Sequence, residues 1–298
     1  MNNLTYRLIK DRTASKAMLV LTVAFVLVAF LIGYGMYARS APLISQNSFW
    51  ELLTSDKWRP FKGEFGFYPF IMGTLWVTII SIGIALPLCL LSAIYLSEYA
   101  HKKIKRIAFP IIDLLAGIPS IIYGVWGVLI IVPFVADVIA PRFNVFTTGY
   151  SLLTGGIVLA VMLFPLMINI MSEVFNTVPQ ELKNASLSLG ATKWQTIKHV
   201  LLRKSLPGII AATVLSVSRT FGETIAVLMV CGNVPSVPES VFDAGYPIPA
   251  LIANNFGEML SIPLYDSALM FAALILFVII FLFNAGSRLI LARIEKNM

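Results

Sequence analysis

Six apolar runs, each about as long as a bilayer is thick, constrain this chain more than any other feature. They lie near 18–37, 69–96, 107–136, 149–171, 206–230 and 265–287, and an α-helix needs about 20 apolar residues to cross the hydrocarbon core. Inside lipid every backbone N–H and C=O must be satisfied within the chain, so runs of this length fold as helices. The composition agrees: 58% of residues are hydrophobic and only 12% are charged, about half the charged share of a soluble domain. Two of the runs exceed the requirement and are expected to tilt or to extend past the hydrocarbon. The fold class this predicts is an all-α polytopic membrane protein with six transmembrane helices.

The basic residues set the orientation. Six crossings put both termini on one side. That side carries Arg7, Lys10, Arg12 and Lys16, then Lys102, Lys103, Lys105 and Arg106, then Lys183, Lys193, Lys198, Arg203 and Lys204, and finally Arg288, Arg293 and Lys296. The opposite side carries Arg39, Lys57, Arg59, Lys62 and Arg142. The positive-inside rule therefore places both termini in the cytoplasm. The expected organisation is a cytoplasmic basic tail at 1–17, a first transmembrane helix at 18–37, an external loop at 38–68, and a core of five transmembrane helices over 69–298. That core contains a cytoplasmic loop at 172–205 and an acidic external loop at 231–264, with Glu239, Asp243 and Glu258 and a short helix near 249–260. The net charge of +7 follows from this asymmetry and calls for no nucleic-acid partner. Ala38-Arg39-Ser40 has the look of a signal cleavage site. The apolar core before it is longer than the 7–15 residues of a signal peptide, so a retained helix is expected.

Motifs for other chemistries are missing. Cys89 and Cys231 read as small apolar fillers. His101 and His199 fall in loops without ligand-like neighbours. No Gly-x-x-x-x-Gly-Lys-Ser/Thr loop occurs, so the chain does not bind ATP in the P-loop manner. No serine elbow, zinc motif or dinucleotide fingerprint is present.

The polar stretch between the fourth and fifth runs is the most patterned part of the chain. Thr177-x-x-Gln180 has the form of a capping box and predicts a helix start. Gly190 predicts its end, since a left-handed C′ residue costs least as glycine. Thr192-x-x-Gln195 is a second capping box, opening a helix with Trp194, Ile197, Val200 and Leu201 on one face. Ser205 and Pro207 predict the start of a third, apolar helix. One reading is an amphipathic hairpin on the lipid surface. A DNA-reading helix-turn-helix is a second, disfavoured because no third helix braces the unit between its two spans.

Two further patterns bear on function. Pro87, Pro110, Pro119, Pro133 and Pro165, with Gly117, Gly124 and Gly127, predict local unwinding in the second to fourth spans, tolerated only where protein or a water-filled path surrounds the backbone. Small residues there also permit close helix packing. Ionisable residues inside spans are costly, about 2.5–3.5 kcal/mol each on insertion scales, and three occur: Asp113, Arg219 and Glu223. Arg219 lies about 20 Å beyond Ser205 at a helical rise of about 1.5 Å per residue. The i, i+4 spacing predicts that Arg219 and Glu223 pair on one helix face. Such a pair is either structural or part of a solute path, with Ser218, Thr220 and Thr224 adding hydroxyls. A guanidinium suits multidentate binding of phosphate oxygens. Aromatics in 40–68, including Trp50, Trp58, Phe65, Phe67 and Tyr68, read as interface anchors.

The 177–205 stretch resembles the cytoplasmic "EAA" loop of ABC-importer permeases. Asn184-Ala185-Ser186 stands where that family has its E-A-A triplet, and Gly190 matches its glycine. Val200-Leu201-Leu202-Arg203 stands for its I-x-L-P ending, with Pro207 following. The strings DLLAGIPSIIYGVWG and SRTFGETIAVLMVCGN, and the entry from Trp58 to Leu75, resemble the permeases of phosphate-specific ABC importers, of the PstC type more than the PstA type. This resemblance implies the type I ABC importer permease fold in a prokaryotic plasma (inner) membrane. It implies a cytoplasmic helix-Gly-helix coupling loop touching the ATPase through Glu181, Asn184, Ala185, Ser186, Leu189, Gly190, Ala191, Thr192 and Trp194. It also implies a phosphate path or gate at Arg219, Glu223, Ser218, Thr220, Thr224 and Asp113. The partners it implies are a PstA-type second permease, a homodimeric PstB-type ATPase, a PstS-type external phosphate-binding protein, inorganic phosphate and membrane lipid. ATP and magnesium would belong to the ATPase subunits, leaving this chain no cofactor and no enzymatic step. A sulfate or molybdate permease is an alternative. A stand-alone secondary anion transporter is another, with no inverted repeat to support it.

Overall fold

The computed structural model of the chain describes residues 3–258 and 262–296. Among them, six helical stretches are long and apolar enough to cross a membrane: Lys10–Gln46, Tyr68–Tyr99, Ser120–Arg142, Leu152–Asn176, Lys193–Gly222 and Tyr265–Arg293. The chain begins with α1 (Asn3–Gln46), α2 (Phe49–Thr54) and a small antiparallel hairpin, β1 (Trp58–Arg59) with β2 (Glu64–Phe65). Then come α3 (Tyr68–Ile94), α4 (Lys102–Ala116), α5 (Ser120–Trp126), α6 (Val132–Phe134), α7 (Ala140–Arg142) and α8 (Leu152–Asn176). The loop helices α9 (Gln180–Ser188) and α10 (Lys193–Thr196) lead into α11 (Leu202–Gly222), α12 (Ile225–Val230), α13 (Ile248–Asn255) and α14 (Tyr265–Lys296). π-helical turns prolong α3 to Tyr99, join α5 to α7 and join α10 to α11.

The fold is organised around α3, which packs most extensively against α8. Three apolar clusters follow one another along α3. The first holds Phe67, Phe70, Tyr246 and Phe271, the second Val77, Val158 and Cys231, and the third Ala85, Cys89, Met171, Phe175 and Leu201. Helices in lipid gain little from burying apolar surface, so they associate through close contact at small residues. Gly156 on α8 shows this: a Cβ there would lie 2.3 Å from the Ile80 side chain of α3.

Several sequence expectations change at their boundaries. The first span is part of one continuous helix of 44 residues, and Ala38-Arg39-Ser40 lies within it. The run at 107–136 is broken at Gly117–Pro119, because a proline has no N–H to give and pushes its predecessor out of helical geometry. The unwinding expected at Pro87 and Pro165 does not occur; α3 and α8 run through them. The run at 206–230 is broken as well, with Glu223 extended at φ −72° and ψ 126°. Ser205 and Pro207 do not start a helix; they lie inside α11.

The aromatics of 38–68 divide into two groups. Trp58 packs edge-on against Phe65, Phe67, Phe70 and Tyr265, with ring centroids 5.6, 5.4, 4.8 and 6.1 Å away. These rings close the end of the bundle, which corrects their reading as interface anchors, while Trp50 and Phe61 remain exposed. The described part of the external loop, through residues 246–255, folds back into the bundle. Ile248 N–H donates to Thr74 Oγ1 of α3 at 2.9 Å, and the Tyr246 hydroxyl accepts from Asn254 and Asn255, both at 2.9 Å.

Candidate functional site

The helix-glycine-helix segment forms as α9, Gly190 and α10. Gly190 has φ +83°. Its N–H donates to Leu187 O at 3.0 Å and the Ala191 N–H to Ser186 O at 3.3 Å, the two bonds of a Schellman ending. Thr192 and Gln195 make both bonds of the capping box. The expected first box does not form. Thr177 ends α8 and gives its hydroxyl hydrogen to Val174 O, while Pro179 stands at the N-cap of α9. Ser186 and Thr196 hydroxyls lie 2.9 Å apart and tie the two arms together.

The other loop residues are turned outward. Glu181, Asn184, Ala185 and Thr192 are exposed, and Ala191 is half-buried. Leu189 is 89% exposed and Trp194 51%. The expected apolar face of the second helix is therefore split: Ile197 and Leu201 pack inward, and Trp194 points away. A loop with Leu182, Leu187, Leu189 and Trp194 all exposed presents an apolar ridge suited to a partner protein.

The second constellation sits where two broken helices meet. α5 begins just after the Gly117–Pro119 break, α12 just after the break at Glu223–Thr224, and the two helices pack together, with Gly124 against Met229 and Ala226. Discontinuous helices are how transporters place polar backbone and charge within a membrane. Tyr123 donates its hydroxyl hydrogen to Leu115 O at 2.8 Å, satisfying a carbonyl at the free end of α4. Asp113, two residues before Leu115, accepts from Asn169 Nδ2 of α8 at 2.8 Å. Arg219 is exposed on the last turn of α11. The negative end of the α11 dipole favours a cation there.

Arg219 and Glu223 do not form the expected ion pair. Among the described residues, Lys183–Glu98 is the one ion pair within 4.0 Å. The i, i+4 rule needs helical backbone at both ends, and Glu223 lies past the end of α11. The hydroxyls separate too. Ser218 bonds Asn284 of α14, and Thr220 is buried with its hydroxyl on Ser216 O. Thr224 Oγ1 donates to Gly222 O at 3.1 Å. Arg219, Glu223, Thr224 and Asp113 thus border the two breaks, while Ser218 and Thr220 serve helix packing. No group of three or more His, Cys, Asp and Glu able to hold a metal occurs among the described residues.

Sequence reasoning missed Tyr123, Asn169 and Glu98. Glu98, in the π turn that ends α3, takes the Lys183 ammonium on its carboxylate across 85 residues of sequence. Its signal is spatial and leaves no local pattern.

Residues 85–296 match the family described as "Binding-protein-dependent transport system inner membrane component". The chain is 39% identical to the probable ABC transporter permease protein YqgH of Bacillus subtilis, covering 86% of this chain and 82% of that protein. It is 36% identical to the phosphate transport system permease protein PstC of Mesorhizobium japonicum, covering 92% and 88%. It is 35% identical to the probable phosphate transport system permease protein PstC of Methanocaldococcus jannaschii, covering 86% and 85%. Among solved structures, a bacterial ABC transporter involved in alginate import aligns with TM-score 0.63 at 17% identity, covering 96% of this chain and 99% of that one. The MetNI methionine ABC transporter aligns with TM-score 0.58 at 18% identity, covering 76% and 96%.

Proposed function

We propose that this chain, which belongs to the binding-protein-dependent transport system inner membrane component family, is the permease subunit of an ATP-driven importer of inorganic phosphate. The observation that carries the reading is Arg219, an exposed guanidinium with no carboxylate partner among the described residues, at the junction of two broken apolar helices. In an isolated chain this face is open; in the complex it would face a second, PstA-type permease, and the anion would pass between the two. A planar guanidinium binds a tetrahedral oxyanion through paired N–H donors. The PstC relatives support phosphate as that anion. The exposed ridge of α9 and α10 would dock on a PstB-type ATPase dimer, which supplies ATP hydrolysis, and a PstS-type binding protein would deliver phosphate to the opposite end.

The test is ATP hydrolysis by the reconstituted four-component complex. Phosphate with its binding protein is expected to stimulate hydrolysis and to accumulate in proteoliposomes. Stimulation by sulfate or molybdate instead would reassign the anion, and transport without any ATPase would refute the importer reading.

On this reading both termini and the α9–α10 loop face the cytoplasm, a placement that the distribution of basic residues supports. Single cysteines replacing Gln46 and Asn254 are expected to react with an impermeant thiol reagent in intact cells. One replacing Ser188 is expected to react only after permeabilisation. The reverse labelling would overturn the orientation and the coupling role with it.

A further inference from the structure

We propose that Glu98 is the point at which the coupling loop grips the second membrane span, so that the loop and α3 move as one body. The proposal rests on the importer reading above. Two lysines, one on each arm of the loop, converge on this single residue. Lys183 of α9 donates to the Glu98 carboxylate, and Lys193 of α10 donates to the Glu98 carbonyl. The Lys193 ammonium also lies 4.4 Å from the centre of the Tyr99 ring. One residue back, Ser97 O accepts from Lys105 at 2.8 Å.

The chemistry of a helix end explains the convergence. The last carbonyls of a helix have no intrahelical donor, and the π turn Tyr95–Tyr99 ends α3 with Ser97 and Glu98 among them. Ammonium groups satisfy those carbonyls and complement the negative end of the dipole. The Lys183 and Glu98 side chains are only 10% and 15% exposed. Removing either therefore strands a shielded charge, unlike removal of a surface pair.

The mechanics follow from the attachments. α9 hangs from α8 by the short 177–179 linker, and α10 runs on into α11. The Ser186–Thr196 contact and the turn at Gly190 hold α9 to α10, but neither fixes the pair to the rest of the bundle, and without a further contact the loop can swing as a unit about Pro179. The Glu98 contacts add a third attachment, on the helix that passes all three apolar clusters and packs along α8. A push on the exposed ridge then reaches α3 directly rather than being lost in a pivot of the loop.

Uptake per ATP hydrolysed separates this role from simple support. In the full reconstituted complex, E98Q and K183M are each expected to keep ATP hydrolysis but lower uptake per ATP about tenfold, the loss expected for one strong charged contact. The exchanged pair E98K/K183E is expected to restore most of it. Unchanged uptake per ATP in the single variants, or no recovery in the exchanged pair, overturns the proposal. If the single variants accumulate poorly, E98C/K183C bridged by a short bifunctional thiol reagent decides the matter, since Cys89 and Cys231 are buried. Bridged complexes should transport at the parental ratio, and arrest on bridging overturns the proposal. A parent complex that carries another anion refutes the phosphate reading alone, and the latch is then scored with that anion.

Discussion

Replacing Arg219 by glutamine is expected to lower phosphate uptake per assembled complex by about 100-fold or more, without lowering the amount of complex in the membrane. The direction follows from the geometry. Arg219 has no carboxylate within 4.0 Å, since the ion pair within that distance among the described residues joins Lys183 and Glu98. It stands one turn beyond Leu215, which is 52% exposed, on an otherwise apolar face. A charge in such a place costs about 2.5–3.5 kcal/mol on insertion scales, so neutralising it does not harm the fold. Its gain must come from an anion. Each charge-assisted bond contributes about 1.5–3 kcal/mol, and a guanidinium fork makes two at once. Losing both removes about 3–6 kcal/mol, and each 1.4 kcal/mol is tenfold. Lysine keeps the charge but not the fork, so R219K is expected to recover only part of the uptake. Because Glu223 is not paired with Arg219, E223Q is expected to leave abundance unchanged and to alter uptake less than R219Q. Uptake per complex that is unaltered in R219Q would remove Arg219 from the path.

This differs from the Arg219–Glu223 pair that spacing alone suggests, and the difference shows what a linear pattern carries. The six crossings were readable because a run of about 20 apolar residues has only one structural outcome in lipid. Prolines alone did not say which runs break. Pro87, Pro165 and Pro207 are accommodated inside helices, whereas Pro119, two residues after Gly117, divides its run. A proline removes one donor everywhere; whether the helix survives depends on neighbours that come from elsewhere in the chain. The Arg219–Glu223 expectation failed for the same reason, since it assumed a helix that ends at Gly222.

The two capping boxes make the same point at closer range. Thr192-x-x-Gln195 and Thr177-x-x-Gln180 have one form, but only the first makes its bonds. Pro179 lies inside the second, and a proline's fixed φ suits the start of a helix. The helix therefore begins after it, and the Thr177 hydroxyl turns back to the helix it ends. Trp194 shares the helical period of Ile197 and Leu201 but not their packing, since it is exposed where they are buried. A helix of a docking loop has two apolar faces, one for its own bundle and one for another protein, and periodicity does not tell them apart. Glu98 lay beyond any pattern, because its partners Lys183 and Lys193 are 85 and 95 residues away.

Gly190, in contrast, was legible from its place alone, and it carries the sharpest test of the loop. Substitution by valine is expected to lower phosphate-stimulated ATP hydrolysis and uptake severalfold while the chain remains in the membrane at its usual level. The left-handed backbone at φ +83° costs a residue with a Cβ about 1–2 kcal/mol, and more when the Cβ is branched. Valine would escape that cost by abandoning the conformation, which also gives up the Gly190–Leu187 and Ala191–Ser186 bonds at about 1 kcal/mol each. Those bonds, about 2 kcal/mol in all, oppose a strain of similar or greater size, so a large share of loops would leave the turn and with it the angle between α9 and α10. No atom lies within 4 Å of a Cβ built at this position, so the effect is one of backbone preference and not of collision. That separates the cases: asparagine, which tolerates the left-handed region, should couple nearly as well as glycine despite its larger side chain. Alanine should fall between asparagine and valine. A series ordered by side-chain volume instead, with alanine best and asparagine no better than valine, would mean that the position is crowded by the docked ATPase. Full activity in the valine variant would mean that the angle between the two helices does not matter to coupling.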